Sequence, residues 1–263
     1  MGLSMVARVT RPELRPFVTG LYGYRERYAE PVSRVEVAMP AAILILGFAG
    51  PTEVDGAELA SFTGGLSDRF TRTRTSVPTE GIEVFLTPFG ARRLFGLPMR
   101  ELTNLVVDVG DLPGGWGAKA VARLGEAAGD DERLTLTEDL LAERILGGAD
   151  LGPELPWAWA RLLRSGGALS AASLAEALGW SHRHLVARFH DEIGLAPKAA
   201  ARVIRFQRAL RLVREGVPIA RVAAVCGFYD QAHMNRDFKL LGDVTPGQIF
   251  PRPLVSGGED SAV

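Results

Sequence analysis

The hydrophobic pattern of the chain changes character once along its length. Up to about residue 110, apolar residues gather in short runs, at 17–24, 35–39, 42–48, 59–64 and 81–87, with clusters of Gly, Pro, Asp and Thr between them. Short strands at this spacing predict an antiparallel sandwich or barrel. Residues 88–97 then predict a short helix, and 116–128 and 137–146 predict two more. Beyond residue 157 the apolar positions recur with helical spacing only.

The change of pattern coincides with a breaker-rich segment, 147–156, which holds three Gly and two Pro. The predicted organisation is a β-rich domain with trailing helices at 1–148, a linker at 149–156, a helical domain at 157–253 and a disordered polar tail at 254–263.

Within 157–253 one design occurs twice. A short helix beginning near Leu169 stops at Gly179, which suits a left-handed C-terminal cap, and the next starts after Ser181, an N-cap residue. At about 100° per residue, that second helix sets Leu185, Phe189 and Ile193 on one face and Arg183, His184 and Ala187 on the other. Further on, Pro218 opens a helix, Gly227 ends it and Asp230 caps its successor. There Met234, Phe238 and Leu241 form a buried stripe, opposite Ala232, Asn235, Arg236 and Lys239, with Gln231 at the start. Gln, Asn and Arg have the bidentate geometry that reads adenine and guanine edges in a major groove. Between the two units, 197–215 predicts one long helix with Ala199, Val203, Phe206, Leu210 and Val213 inward. Arg208 and Arg211 face away from that stripe, and Arg202, Arg205 and Arg214 flank it.

Charge divides the chain at the same place. The net charge of −1 averages residues 1–156, with 16 basic against 22 acidic side chains, and residues 157–253, with 14 against 7. A basic module joined to an acidic one directs a polyanion to the basic part. A single Cys cannot form an intramolecular disulfide, and Arg8 arrives before a signal-peptide core could develop. The longest uncharged run, 37–52, falls short of the roughly 20 apolar residues that span a bilayer. A cytoplasmic location and no membrane partner are expected.

Leu174-Ala175, Leu178-Gly179, Ser181, Leu185, Arg188-Phe189, Gly194, Pro197, Arg205, Ala209, Ile219-Ala220, Gly227-Phe228, Phe238-Lys239, Gly242 and Thr245-Pro246 fall in one register. On these residues the stretch 169–250 resembles the DNA-binding domain of AraC/XylS-type transcription regulators. The resemblance implies two recognition helices entering successive major-groove segments of double-stranded DNA. Base contacts would come from Arg183, Val186 and Ala187 on the first and from Gln231, Asn235 and Arg236 on the second. Phosphate contacts are expected from Ser181, Arg188, Arg208, Arg211 and Lys239, and RNA polymerase is an expected partner. Val186 and Ala187 replace the polar residues often found there and could touch a thymine methyl. Gln248-Ile249-Phe250 stands where a Tyr-Arg pair is common. Gly65-Leu66-Ser67-Asp68-Arg69 and Thr87-Pro88-Phe89-Gly90-Ala91-Arg92 resemble the N-terminal half of a subset of these regulators, which implies a cupin-like sensor or dimerisation domain. The expected fold class is α+β, with an N-terminal antiparallel β barrel or sandwich carrying helices and a C-terminal all-α double helix-turn-helix domain.

The rival class is a DNA-binding enzyme or repair protein. A cupin-type metal enzyme would draw His ligands from its strands, and residues 1–181 contain none. Cys226 sits beside the second turn and reads as a packed thiol, while His182, His184 and His190 point in different directions from one helix. Neither catalytic residues, metal ligands nor cofactors are expected. Tyr22, Tyr24, Phe48 and Phe62 read as inward barrel residues and as candidates for lining a small-molecule effector site. Arg69 and Arg92 read as structural ion pairs. The stripes Val121-Leu124-Ala128 and Leu140-Leu141-Ile145 exceed what one short barrel needs to cover its side and predict an isologous homodimer. An N-terminal domain that only oligomerises is the alternative to one that binds an effector.

Overall fold

Alternation along a few strands determines how the N-terminal part is layered. The structure, a computed structural model, describes residues 2–249, so the tail expected at 254–263 lies outside the described residues. In chain order the strands are β1 (Gly2–Ala7), β2 (Val18–Arg27), β3 (Val32–Glu36), β4 (Ala42–Ala49), β5 (Thr52–Val54), β6 (Ala57–Leu59), β7 (Phe62–Gly64), β8 (Thr71–Thr75), β9 (Thr79–Leu86) and β10 (Val106–Asp108). They pair antiparallel in two sheets, one ordered β1-β2-β9-β4-β7-β10 and the other β3-β8-β5-β6. On β4, Ala42, Leu44 and Leu46 enter the main core, while Ile43 and Ile45 face the second sheet. On β9, Ile82, Val84 and Leu86 follow the first set.

Three helices cover the core face of the six-stranded sheet: α1 (Pro88–Phe95), α2 (Trp116–Gly125) and α3 (Asp130–Leu146). The Thr87 hydroxyl caps α1 by accepting from the Gly90 amide at 3.1 Å, and Pro88 fits the first turn. Gly90 is required for packing, since a Cβ there would lie 2.3 Å from the carbonyl oxygen of Phe17. The Thr-Pro-Phe-Gly element is thus a capped helix start pressed against the turn that leads into β2.

Several predicted boundaries move. The run 59–64 is split between β6 and β7, which belong to different sheets, and 35–39 becomes β3 at Val32–Glu36. Helix α3 begins seven residues earlier than 137, where Asp130, Asp131 and Glu132 suit the positive end of a helix dipole. The predicted stripes are the larger correction. Leu124 of α2 and Leu141 and Ile145 of α3 are fully buried and Leu140 nearly so, all against the chain's own core, so these side chains are not free to meet a partner; Val121 is half-buried and Ala128 exposed.

The C-terminal helices are α4 (Glu154–Arg164), α5 (Ala171–Leu178), α6 (His182–Ile193), α7 (Pro197–Arg214), α8 (Ile219–Val225), α9 (Gln231–Gly242) and α10 (Pro246–Ile249). Helix α4 starts inside the expected linker 149–156, with Pro156 in its first turn, where a missing N–H leaves no bond unmade. The fold is α+β, and one continuous core runs through both parts. Phe206 of α7 and Phe238 of α9 meet edge-to-face at 5.0 Å within it.

Candidate nucleic-acid interface and effector cavity

The two turns form as local chemistry dictates. Gly179 adopts φ 67°, and the Ser181 hydroxyl accepts from the His184 amide at 3.2 Å to start α6. Gly227 adopts φ 72°, and the Asp230 carboxylate accepts from the His233 amide at 2.6 Å to start α9. Pro218 occupies the N-cap position of α8, one residue before its first turn. The predicted inward residues Leu185, Phe189 and Ile193 of α6, and Met234, Phe238 and Leu241 of α9, are fully buried.

Burial of those stripes leaves the opposite faces outward. On α6, Arg183 and Ala187 are exposed and Val186 is half-buried; on α9, Gln231 and Arg236 are exposed and Asn235 is half-buried. The expected phosphate set is less uniform. Arg211 and Lys239 are exposed, each paired one turn on with Glu215 (3.8 Å) and Asp243 (2.6 Å), and Ser181 is exposed but serves as a cap. Arg188 is half-buried over Trp180, and Arg208 is half-buried beside Gly166. Arg205 and Arg202 face inward, to the buried Asp237 (2.9 Å) and to Asp68 (2.7 Å) respectively. Tyr229, in the turn before α9, is 93% exposed and was not singled out by periodicity, which cannot assign a loop residue to a face. Cys226 is packed, and burial pushes its thiol pKa up.

Side chains of both domains knit the two together. Arg92 of α1 pairs with Glu192 of α6 at 3.2 Å, Arg100 with Asp191, and the Thr103 hydroxyl donates to the Gly194 carbonyl at 2.6 Å. Asp68 accepts from Arg202 of α7 and from the Asn104 amide group, so the Gly-Leu-Ser-Asp-Arg element is a joint. Within it Arg69 is exposed and donates to the Asn104 carbonyl at 2.7 Å, a hydrogen bond rather than the expected ion pair. Ala38 is the tightest link: its amide donates to the Leu241 carbonyl of α9 at 2.8 Å, and its carbonyl accepts from Gln207 of α7 at 2.5 Å.

A cavity of about 340 Å³ lies between the two sheets. Of the four aromatic candidates, Tyr24 and Phe62 line it. Tyr22 stands outside the wall, edge-on to Phe85 at 6.0 Å. Phe48 lies on the other face of the sheet, beneath the guanidinium of Arg133. Strand β8 contributes Thr71, Thr73 and Thr75, while its alternate residues, Arg72 and Arg74, are exposed. Glu83 of β9 enters the cavity with no hydrogen bond or ion pair from any described residue. Burial, then Glu36 and Glu26, push its pKa up to about 7. Glu26, by contrast, accepts from Arg34 at 3.2 Å and Thr75 at 3.1 Å. No group of His, Cys, Asp and Glu among the described residues is arranged to hold a metal ion.

Residues 174–252 match the family described as "Helix-turn-helix domain". Residues 174–252 are thus a helix-turn-helix domain. Over 61 residues the chain is 38% identical to the uncharacterized HTH-type transcriptional regulator YbfI of Bacillus subtilis (strain 168), covering 23% of this chain and 22% of that one. Over 100 residues it is 35% identical to the HTH-type transcriptional regulator Rv1931c of Mycobacterium tuberculosis (strain ATCC 25618 / H37Rv), covering 38% of each. The chain thus spans less than two fifths of the length of these relatives. In fold it is similar to ToxT from Vibrio cholerae, with a TM-score of 0.50 at 10% identity over 94% of this chain and 97% of that one. ToxT bound to (E)-4-(8-methylnaphthalen-1-yl)but-3-enoic acid superposes equally, with a TM-score of 0.50 at 12% identity over 94% and 98%.

Proposed function

We propose that this chain is a sequence-specific DNA-binding transcription regulator whose N-terminal sandwich holds a small-molecule effector. The observation that carries the first part is the pair of capped helices, α6 and α9, each with one face fully buried and Arg183 or Gln231 and Arg236 on the other. Side chains of this kind, on a helix held from behind, read base edges. Arg183, Val186, Ala187, Gln231, Asn235 and Arg236 are the proposed base contacts, and Ser181, Arg188, Arg208, Arg211 and Lys239 the proposed phosphate contacts. Exposed Tyr229 joins the latter set, its phenol able to donate to a phosphate oxygen.

Effector control follows from where the cavity wall leads. Val37 and Ala38 line the cavity, and Ala38 is hydrogen-bonded to α7 and α9. A ligand that shifts this wall changes the setting of α9 relative to the rest of the domain. That ToxT, similar in fold, is bound to a small molecule supports an effector of this kind, and we propose that it is held in this cavity without being converted. Homodimerisation and contact with RNA polymerase belong to the same proposal, with sedimentation of the full chain testing the first.

Gel-shift titration of the full chain over a salt series tests the reading. Binding that weakens steeply with salt, through counterion release, is expected. Absence of binding at the lowest salt overturns it.

A further inference from the structure

Four carboxyl groups line the cavity, and among the described residues only one is without a partner. Glu26 of β2 is held by Arg34 and Thr75. Glu36 of β3 is exposed and accepts from the Thr73 hydroxyl at 3.0 Å. Glu83 stands near the middle of the six-stranded sheet, in register with Tyr22 on β2 and Ile45 on β4, and no described residue bonds it. An unpaired carboxyl among apolar side chains destabilises the free protein unless something else binds it.

Nearby cations do not fill that need. Arg34 is engaged by Glu26 and by the Tyr28 hydroxyl at 2.6 Å, and Arg69 is exposed and bound to the Asn104 carbonyl. Tyr24, whose hydroxyl approaches the Cβ position of Gly81 beside Glu83, adds an aromatic ring to the lining, a group that attracts cations. Asp55, the fourth acid of the lining, accepts from the Arg72 amide at 2.9 Å.

We propose that the cavity binds an amphiphilic organic cation, its ammonium or amidinium group on Glu83 and its apolar body against Ile43, Ile45 and Phe62. This specifies the effector class and rests on the effector reading above. A carboxylate of the same shape would meet Glu83 and Glu26 with no uncommitted cation inside the cavity. Cation affinity rises with pH as Glu83 ionises, with Tyr24, Glu26, Arg34, Glu36, Asp55 and Arg69 as the other charged or titratable groups around the cavity.

Calorimetric titration of the full chain with naphthylethylammonium and with naphthylpropanoate tests this. Near about pH 8 the ammonium is expected to bind at least about tenfold more tightly than the carboxylate. Glu83→Gln should lower ammonium affinity by about tenfold and leave the carboxylate unchanged or improved. For the wild type, ammonium affinity should drop severalfold between about pH 8 and about pH 6. Ile43→Trp, which fills the cavity without changing a charge, should abolish ammonium binding. A preference for the carboxylate, indifference of the ammonium to Glu83→Gln, or no saturable binding of either probe overturns the proposal. DNA affinity measured alongside separates the two levels. Intact DNA binding with no probe bound removes the cation site and leaves the regulator. A bound ammonium that never alters DNA affinity keeps the site and removes effector control.

Discussion

Ala38 and Leu241 are joined by a 2.8 Å hydrogen bond from the wall of the cavity to the last turn of α9. Gln207 of α7 holds the same residue from its other side, through the Ala38 carbonyl. Whatever moves residues 37–38 therefore acts on two helices of the DNA-binding domain at once.

Gln207→Leu keeps similar bulk and removes the donor, leaving a buried carbonyl without its partner. A loss of about 1–3 kcal/mol is expected in chemical denaturation. The effector-induced change in DNA affinity should shrink, while binding of the ammonium probe itself stays intact. Fluorescence anisotropy with labelled duplex, with and without probe, measures both effects.

Leu141 is fully buried between α3 and the core, so its truncation should act on folding and not on association. Leu141→Ala should cost about 2–5 kcal/mol. Sedimentation of the folded fraction should match the wild type, whereas a wild-type dimer converted into a folded monomer would contradict the packing described here.

How much could be read from the sequence follows the range of the interactions involved. Ser181, Gly179 and Asp230 act on amides and torsions within a few residues, so the two turns and the stripes of α6 and α9 were legible. Strand β8 was not. Its Thr-Arg-Thr-Arg-Thr alternation is period two, but both classes are polar, and only the opposing sheet shows that the threonines face a cavity. Glu83 was hidden for the same reason. Ile82, Val84 and Leu86 mark one face of β9 as core, and the other face would be solvent had the second sheet not covered it. The helical stripe misread as a dimer face failed on quantity: periodicity shows that a face is apolar, not which partner buries it. The joints at Asp68–Arg202 and Ala38–Leu241 link residues far apart in sequence and leave no local pattern.

The cap of α9 should be measurable on its own. Asp230→Ala removes the acceptor of the His233 amide and should cost about 0.5–2 kcal/mol in urea denaturation. Asp230→Asn keeps an acceptor and should retain most of that stability. DNA affinity should follow the same order, because the cap sets where Gln231 begins.

Glu83 makes stability depend on pH. Folding raises its pKa from 4.5 to about 7, so the folded chain holds this proton more tightly than the unfolded one. Stability is lost as pH rises between these values, and the loss is complete above about 7. Glu83→Gln removes the titration. Allowing for solvent in the cavity, the variant should be more stable than the wild type by about 1–3 kcal/mol near about pH 8. The gap should close towards pH 4.5. Thermal denaturation across the pH range checks it, and a gap that widened on acidification would exclude an unpaired Glu83.

The central claim, that the outer faces of α6 and α9 read DNA sequence, is tested most directly by selecting duplexes from a random pool with the full chain and its variants. The wild type should enrich one motif. Arg236→Ala should relax base preference at one position of that motif, with a loss of about 1–3 kcal/mol on the preferred site, and Arg211→Ala should weaken every sequence alike. An enriched motif unchanged by Arg236→Ala and by Gln231→Ala would contradict the assignment of that face to the groove.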